Sequence, residues 1–380
     1  MQLRNCFALG LILTSLLALL ALGGCGSNSP TNICPLTGCC GPTSDACFAP
    51  QYLFALGLNG ELDVFPISPS NGTPGSPTST SGLTGSLGMA VMNNQFLYIS
   101  NPQLPLGSST IEAWSINLSS GVLTTVPGSP FALGPLELPA GLAVDSSAQV
   151  LYVGEAGGID AFQAGVNGGL SAVTGSPFPA GLNIYLTVDP QNRFLFASDD
   201  LAPGNVLAFT INASTGALSA VAGSPFPTIP GYVGNTQPGQ IVVDSTGSFV
   251  YTVLTGTNQI AAFSITASTG VLTAVTGSPF STGSRPLAMA TVNNFLYVSN
   301  TSDATISGYT IDPTTGVLTA LAGSPFAIYA GPMATSFDGA YLYTTTQAGL
   351  TTFSINPQTG ALTQVGTPIP YGGASVLTFE

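Results

Sequence analysis

Arg285 stands directly before Pro286 in a chain whose cations are three arginines, Arg4, Arg193 and Arg285, with neither Lys nor His. A guanidinium held on a loop pairs a carboxylate bidentately or stabilises a developing oxyanion. Two carboxylates, Glu137 and Glu155, lie in loops expected to share a face with it. Either would act as a general base if its pKa were raised. Tyr232, Gln237, Asp199, Asp200, Asn300 and Asp303 fall in the same two classes of loop and supply hydrogen-bonding groups for a ligand. Against this stands a plainer reading, in which Arg285 is a solvated or salt-bridged loop residue and Glu137 a surface acid.

Several chemistries are closed by residue type. Without His, a Ser-His-Asp triad in its usual form is excluded. No Gly-x-Ser-x-Gly elbow and no Gly-rich phosphate loop occurs. No metal and no cofactor is expected; calcium held by carboxylates and amides in the central channel is the alternative, against which no dense acidic loop of EF-hand type occurs. Asp145, Asp189, Asp244 and Asp338 recur at one register, just before turns such as "DSTG" and "DPQN", as turn-capping aspartates do.

Charged residues make up 5% of the chain, against about 25% in an average domain. With 16 acids against three arginines, nucleic-acid binding by counterion release is not expected, nor is direct attraction to anionic headgroups. Solubility rests on hydroxyl and amide side chains and on net negative charge.

The elements that position these loops repeat. Gly-Ser-Pro starts at Gly75, Gly128, Gly175, Gly223, Gly277 and Gly323, and Gly-Thr-Pro at Gly366, which makes seven. A Leu/Val-aromatic pair recurs seven times, from Leu53-Phe54 to Leu342-Tyr343. A strand with a central aromatic recurs at Phe65, Trp114, Phe162, Phe209, Phe263, Tyr309 and Phe353. A small apolar strand recurs as "GMAVM", "GLAVD", "YLTVD", "QIVVD", "LAMAT", "MATSF" and, last, "SVLTF". The period is about 47 residues, in the range of propeller blades. Four strands per unit and seven units predict an all-β, seven-bladed β-propeller over residues 51–380. A β-helix has much shorter repeats and lacks four distinct strand types.

The propeller begins with the second strand type, "QYLFAL", and ends with the first, "ASVLTFE". Residues 374–380 are therefore expected to become the inner strand of the blade begun at 51–56, joining the two ends and removing an edge. In "IDPTTGVLTALAGSPF" Gly316 is expected at positive φ and "VLTAL" as the outer strand. Pro325 should end that strand on an exposed edge, and Phe326 should tuck between blades. A repeated ligand clamp is the alternative to this structural corner.

These blades, "VDPQNRFLFASDD…NVLAFTINASTGALSAVAGSPF" and "VDSTGSFVYTVL…QIAAFSITASTGVLTAVTGSPF" among them, resemble the lactonase family of seven-bladed propellers, which includes propeller-type 6-phosphogluconolactonases. The resemblance implies a ligand site on the loop face. The family's central His has no counterpart here, and two arginines in the propeller do not form a phosphate cluster.

Ahead of the propeller, Arg4, the apolar run Phe7 to Leu22 and Leu22-Gly23-Gly24-Cys25 resemble the signal and lipobox of bacterial lipoproteins. That resemblance implies a signal peptide over 1–24, lipidation of Cys25 and a membrane-anchored protein of the cell envelope. An uncleaved membrane helix is the alternative, for which the run falls short of about 20 residues. Cys34, Cys39, Cys40 and Cys47 crowd a linker over 25–50 and suggest two disulfides, with pairing open. A zinc site does not fit their spacing. Two functions follow as expectations: a binding module for a protein, glycan or small molecule on the loop face, or a hydrolase of a non-phosphorylated lactone using Arg285 with Glu137 or Glu155.

Overall fold

A computed structural model describes residues 51–83, 88–102, 109–133, 139 and 141–379. The signal, Cys25, the four linker cysteines and Glu137 lie outside the described residues. Every regular element described is a β-strand.

The inner strands are Met89–Met92, Leu142–Asp145, Phe178–Val188, Pro238–Val243, Pro286–Val292, Met333–Thr335 and Ala374–Phe379. Each contacts the next, and Ala374–Phe379 contacts both Met333–Thr335 and Met89–Met92, which closes a ring of seven blades. As expected from the order of elements, Ala374–Phe379 pairs antiparallel with Gln51–Gly57, from Leu53 opposite Phe379 to Gly57 opposite Ala374.

Blade three departs from the pattern. Val150–Ala164 is one continuous strand, whose first part pairs with Leu142–Asp145 and whose last part pairs with Leu170–Ala172. Phe178 also pairs with Ile159 and runs straight on into the inner strand of blade four, so blades three and four share one sheet.

Both faces of a blade are covered by neighbours, and for that reason second strands such as Phe295–Asn300 are buried along their whole length. Seven apolar clusters result, one per junction. Tyr297, Ile306 and Leu321 of blade six meet Met333, Leu342 and Phe353 of blade seven. Leu53 and Phe65 of blade one meet Tyr343 and Leu350 of blade seven around Leu377.

The recurrent aromatic adds a polar tie. The hydroxyls of Tyr98, Tyr152, Tyr251, Tyr297 and Tyr343 donate to the carbonyls of Gly168, Gly216, Gly316, Gly360 and Gly72 in the following blade, at 2.6–2.9 Å. Burial pushes all five hydroxyls well above their ordinary pKa, which keeps them protonated donors.

The Gly-Ser-Pro-Phe corner does more than end a strand. The outer strand is only Leu318–Ala320, and after the Ser324-Pro325 cis bond Phe326 pairs back onto Ile306 of the third strand. The gap between these two pairings is filled by Ser324, whose Oγ accepts the Gly308 N–H at 2.9 Å. Ser129, Ser176, Ser224 and Ser278 do the same for Ala113, Ala161, Ala208 and Ala262. The repeated serine thus satisfies a strand donor that would otherwise lose its ladder partner. Phe326 packs half-buried against the cluster between blades six and seven, as expected.

Candidate functional site

The loops leading into the inner strands and the turns between second and third strands lie at one end of every blade. Here a backbone tie repeats. The carbonyls of Leu182, Gln237, Arg285 and Gly373 accept the N–H groups of Asp200, Thr255, Thr301 and Leu58 at 3.1–3.3 Å. Gln237 and Arg285 both adopt positive φ, 49° and 54°, and both donate their N–H to an asparagine Oδ1, of Asn235 and Asn258 respectively, at 2.9 Å. Arg285 is fixed further by the Thr301 hydroxyl, which donates to its carbonyl at 3.1 Å. A strained, doubly held backbone projects an exposed guanidinium from a rigid point.

Among the described residues the ion pair found is Arg193–Asp189, so no carboxylate there pairs with Arg285. Arg193 belongs to the opposite face. Its guanidinium holds Asp189 at 2.8 Å and Gln191 at 2.9 Å, and reaches the Gly247 carbonyl of blade five at 3.3 Å. Asp145, Asp189 and Asp244 accept N–H groups of their own turns, as their register suggested. Arg285 is therefore the one cation on its face among the described residues, where Glu61, Glu112, Asp200 and Asp303 are also at least partly exposed.

The other expected site residues divide by blade. Glu155, Asp199 and Asn300 occupy one position, three residues beyond the second-strand aromatics Tyr152, Phe196 and Tyr297. All three are buried, at 2%, 5% and 0% exposure, so they form a layer beneath the surface and not a rim. Asp199 Oδ1 accepts the N–H groups of Leu182 and Leu201 at 3.1 Å. Asn300 accepts from Thr282 and donates to Thr305 and Ser307, which occupies its amide inside blade six.

Asp200 is joined to Gln237 through Asn235, whose Nδ2 donates to Asp200 Oδ1 at 3.2 Å. Asp303, exposed, accepts the Ser284 N–H at 2.6 Å beside Arg285. Tyr232 is exposed on the long loop before Gln237. Asp303 is thus bound to the residue preceding Arg285 on blade six, and Gln237 is linked through Asn235 to Asp200 at the junction of blades four and five, with Tyr232 on the loop leading to Gln237. Glu155 stays apart in blade three.

Sequence reasoning missed Asn258 and Thr301, which set the Arg285 backbone, and Asn101, whose Nδ2 donates to Glu112 at 3.3 Å at the position of Asn300. Counting three residues beyond each aromatic finds that position.

The family model described as "Lactonase, 7-bladed beta-propeller" matches residues 202–333, which include Tyr232, Gln237 and Arg285. A search of curated proteins finds no match. Among solved structures, a candidate 6-phosphogluconolactonase of Bacteroides uniformis superposes with a TM-score of 0.70 at 16% identity, over 87% of this chain and 99% of that one. The periplasmic gluconolactonase of Pseudomonas aeruginosa gives 0.68 at 18%, over 87% and 99%. A Lactobacillus plantarum protein gives 0.68 at 16%, over 88% and 100%. At these identities the likeness shows the fold alone. The chain is a seven-bladed β-propeller whose residues 202–333 match the lactonase family of such propellers.

Proposed function

We propose that this propeller is an envelope-anchored binding module that takes a carboxylate-bearing ligand, a sugar acid or an acidic glycan end, on the face carrying Arg285. The observation that carries this reading is Arg285 itself: an exposed guanidinium on a backbone held by Asn258 and Thr301, with no ion-pair partner among the described residues. Pre-organisation of that kind lowers the ordering cost of binding. Glu155 and Asp199 are buried at separate blades, which does not favour an exposed acid–base pair beside the arginine.

Titration calorimetry with a panel of aldonic and uronic acids should find saturable binding, weakened about tenfold or more by Arg285→Ala, the scale of a charge-assisted hydrogen bond. Arg285→Lys should recover little, because a point charge does not reproduce the bidentate fork. Binding unchanged in both variants would remove the proposal.

The match of residues 202–333 to the lactonase family favours a second reading, hydrolysis of a non-phosphorylated lactone with Arg285 stabilising the oxyanion and Glu137 or Glu155 as base. Equal lactone hydrolysis rates in wild type and Arg285→Ala would end it.

Anchoring rests on the signal and lipobox pattern ending at Cys25. In a bacterial host, Cys25→Ala should move the protein from the membrane to the soluble fraction and abolish incorporation of labelled palmitate. Continued labelling of the variant would rule out Cys25 as the acceptor.

A further inference from the structure

We infer that the opposite face carries a second site, for a neutral sugar ring, in a recess above the short turn of blade six. The recess follows from turn lengths. In blade six Val292 pairs directly with Phe295, leaving only Asn293 and Asn294 in the turn. In blade five the last pair is Val243 with Val250, and in blade seven Thr335 with Leu342, so both neighbours carry longer turns, 244–249 and 336–341. A low turn between two tall ones leaves a cavity of 340 Å³, with Val292 and Asn293 as floor, Ser245 as one wall and Thr335 and Phe337 as the other. That volume lies at the small end of small-molecule sites, which run from about 300 to 1,000 Å³.

Its chemistry is amphipathic and uncharged. Phe337 is 68% exposed, a large ring left facing solvent at the edge of a cavity. The ring is held on a fixed turn, since Ser336 Oγ donates to Asp338 at 2.6 Å and accepts the Tyr341 N–H at 2.9 Å. Ser245 Oγ donates to the Asn293 carbonyl and Thr291 Oγ1 to the Val243 carbonyl, both at 3.2 Å. With their protons so engaged, these hydroxyls offer lone pairs to a ligand's hydroxyl donors. The exposed Asn293 amide supplies donor and acceptor together.

No charged side chain lines the cavity. The nearest carboxylates are engaged in their own turns, Asp244 by the N–H groups of Ser248 and Phe249 and Asp338 by that of Ala340. A pyranose matches this set: one face of C–H groups for the aromatic ring, and a rim of hydroxyls for acceptors and amide. An anion finds no cation here, and a purely apolar ligand would leave the hydroxyls and amide without partners.

The test uses the full chain titrated with glucose, galactose, mannose, N-acetylglucosamine and their disaccharides, followed by saturation-transfer NMR and calorimetry. At least one should bind saturably. Phe337→Ala should weaken that binding about tenfold, Phe337→Trp should preserve it and Asn293→Ala should weaken it about threefold or more. Arg285→Ala should leave it unchanged, which separates this site from the opposite face. Absence of saturable binding by every sugar, undiminished binding in Phe337→Ala, or equal loss in Arg285→Ala would each overturn the inference.

Discussion

Deleting residues 374–380 is expected to replace a single thermal unfolding transition with a broad, non-cooperative loss of structure. The strand Ala374–Phe379 is registered against Leu53, Phe54, Ala55, Leu56 and Gly57, and those ladder bonds contribute about 1 kcal/mol each. Leu377 and Ala374 are buried in the cluster that joins blades one and seven, and a buried Leu adds about 1.5–3 kcal/mol. Together this approaches the whole stability of a typical domain, about 5–15 kcal/mol. The loss is also topological. Without this strand the second strand of blade one becomes an open edge, and Leu53, Phe65 and Tyr343 face water from both sides of the break. Circular dichroism and calorimetry on wild type and truncation would read the effect. An unchanged midpoint and enthalpy would mean that the ring is held closed by something other than its C-terminal strand.

The fold was legible because each blade repeats the same physical requirement. A second strand buried on both faces must be largely apolar, a turn with positive φ favours Gly, and an edge after the outer strand tolerates Pro. These constraints act on residue type, so seven copies of each could be counted before any contact was known. What the repeats left hidden is what residue type does not encode. The serine of Gly-Ser-Pro-Phe reads as a turn residue, yet its hydroxyl completes the third-strand ladder in five blades. The tyrosine hydroxyls likewise read as incidental to an aromatic core position, and blades one and four do carry Phe54 and Phe196 there. In four of the other blades the hydroxyl reaches a carbonyl 63–70 residues away, and Tyr343 reaches that of Gly72 at a separation of 271, distances no local pattern reports.

The candidate site was legible only as a set of loops. Arg285 was identifiable by scarcity of charge, and its exposure agrees with a surface role. Its fixed backbone depends on Asn258 in the preceding blade and Thr301 across its own, partners set by the ring geometry. Asp199 and Asn300 sit at strand ends that a sequence places in loops, because a strand boundary shifts by a residue or two without any change of pattern, and Glu155 lies inside the continuous strand Val150–Ala164 where a turn was expected. That small shift separates a rim residue from a buried one. The recess beside Phe337 escaped for a related reason: it arises from the difference between adjacent turn lengths, and neither turn is unusual alone.

Substituting Gly316 by Ala is expected to lower stability by about 2–5 kcal/mol, far more than an ordinary surface glycine. Gly316 has φ +72°, which costs an L-residue about 1–2 kcal/mol. A Cβ there would stand 2.3 Å from Phe249 Cδ1 and 2.6 Å from its Cε1. Phe249 is 4% exposed, packed in the cluster between blades five and six, so overpacking adds about 1–3 kcal/mol. Backbone displacement of the turn would also pull the Gly316 carbonyl from the Tyr251 hydroxyl, now 2.9 Å away. Gly231 separates these causes. It has φ +78° with no atom within 4 Å of the Cβ position, so Gly231→Ala reports left-handed strain alone. Chemical denaturation of both variants should place Gly316→Ala at least about 1 kcal/mol below Gly231→Ala. Equal losses would show that the turn glycine is retained only for its backbone angle and that the close approach of neighbouring blades at this turn is soft.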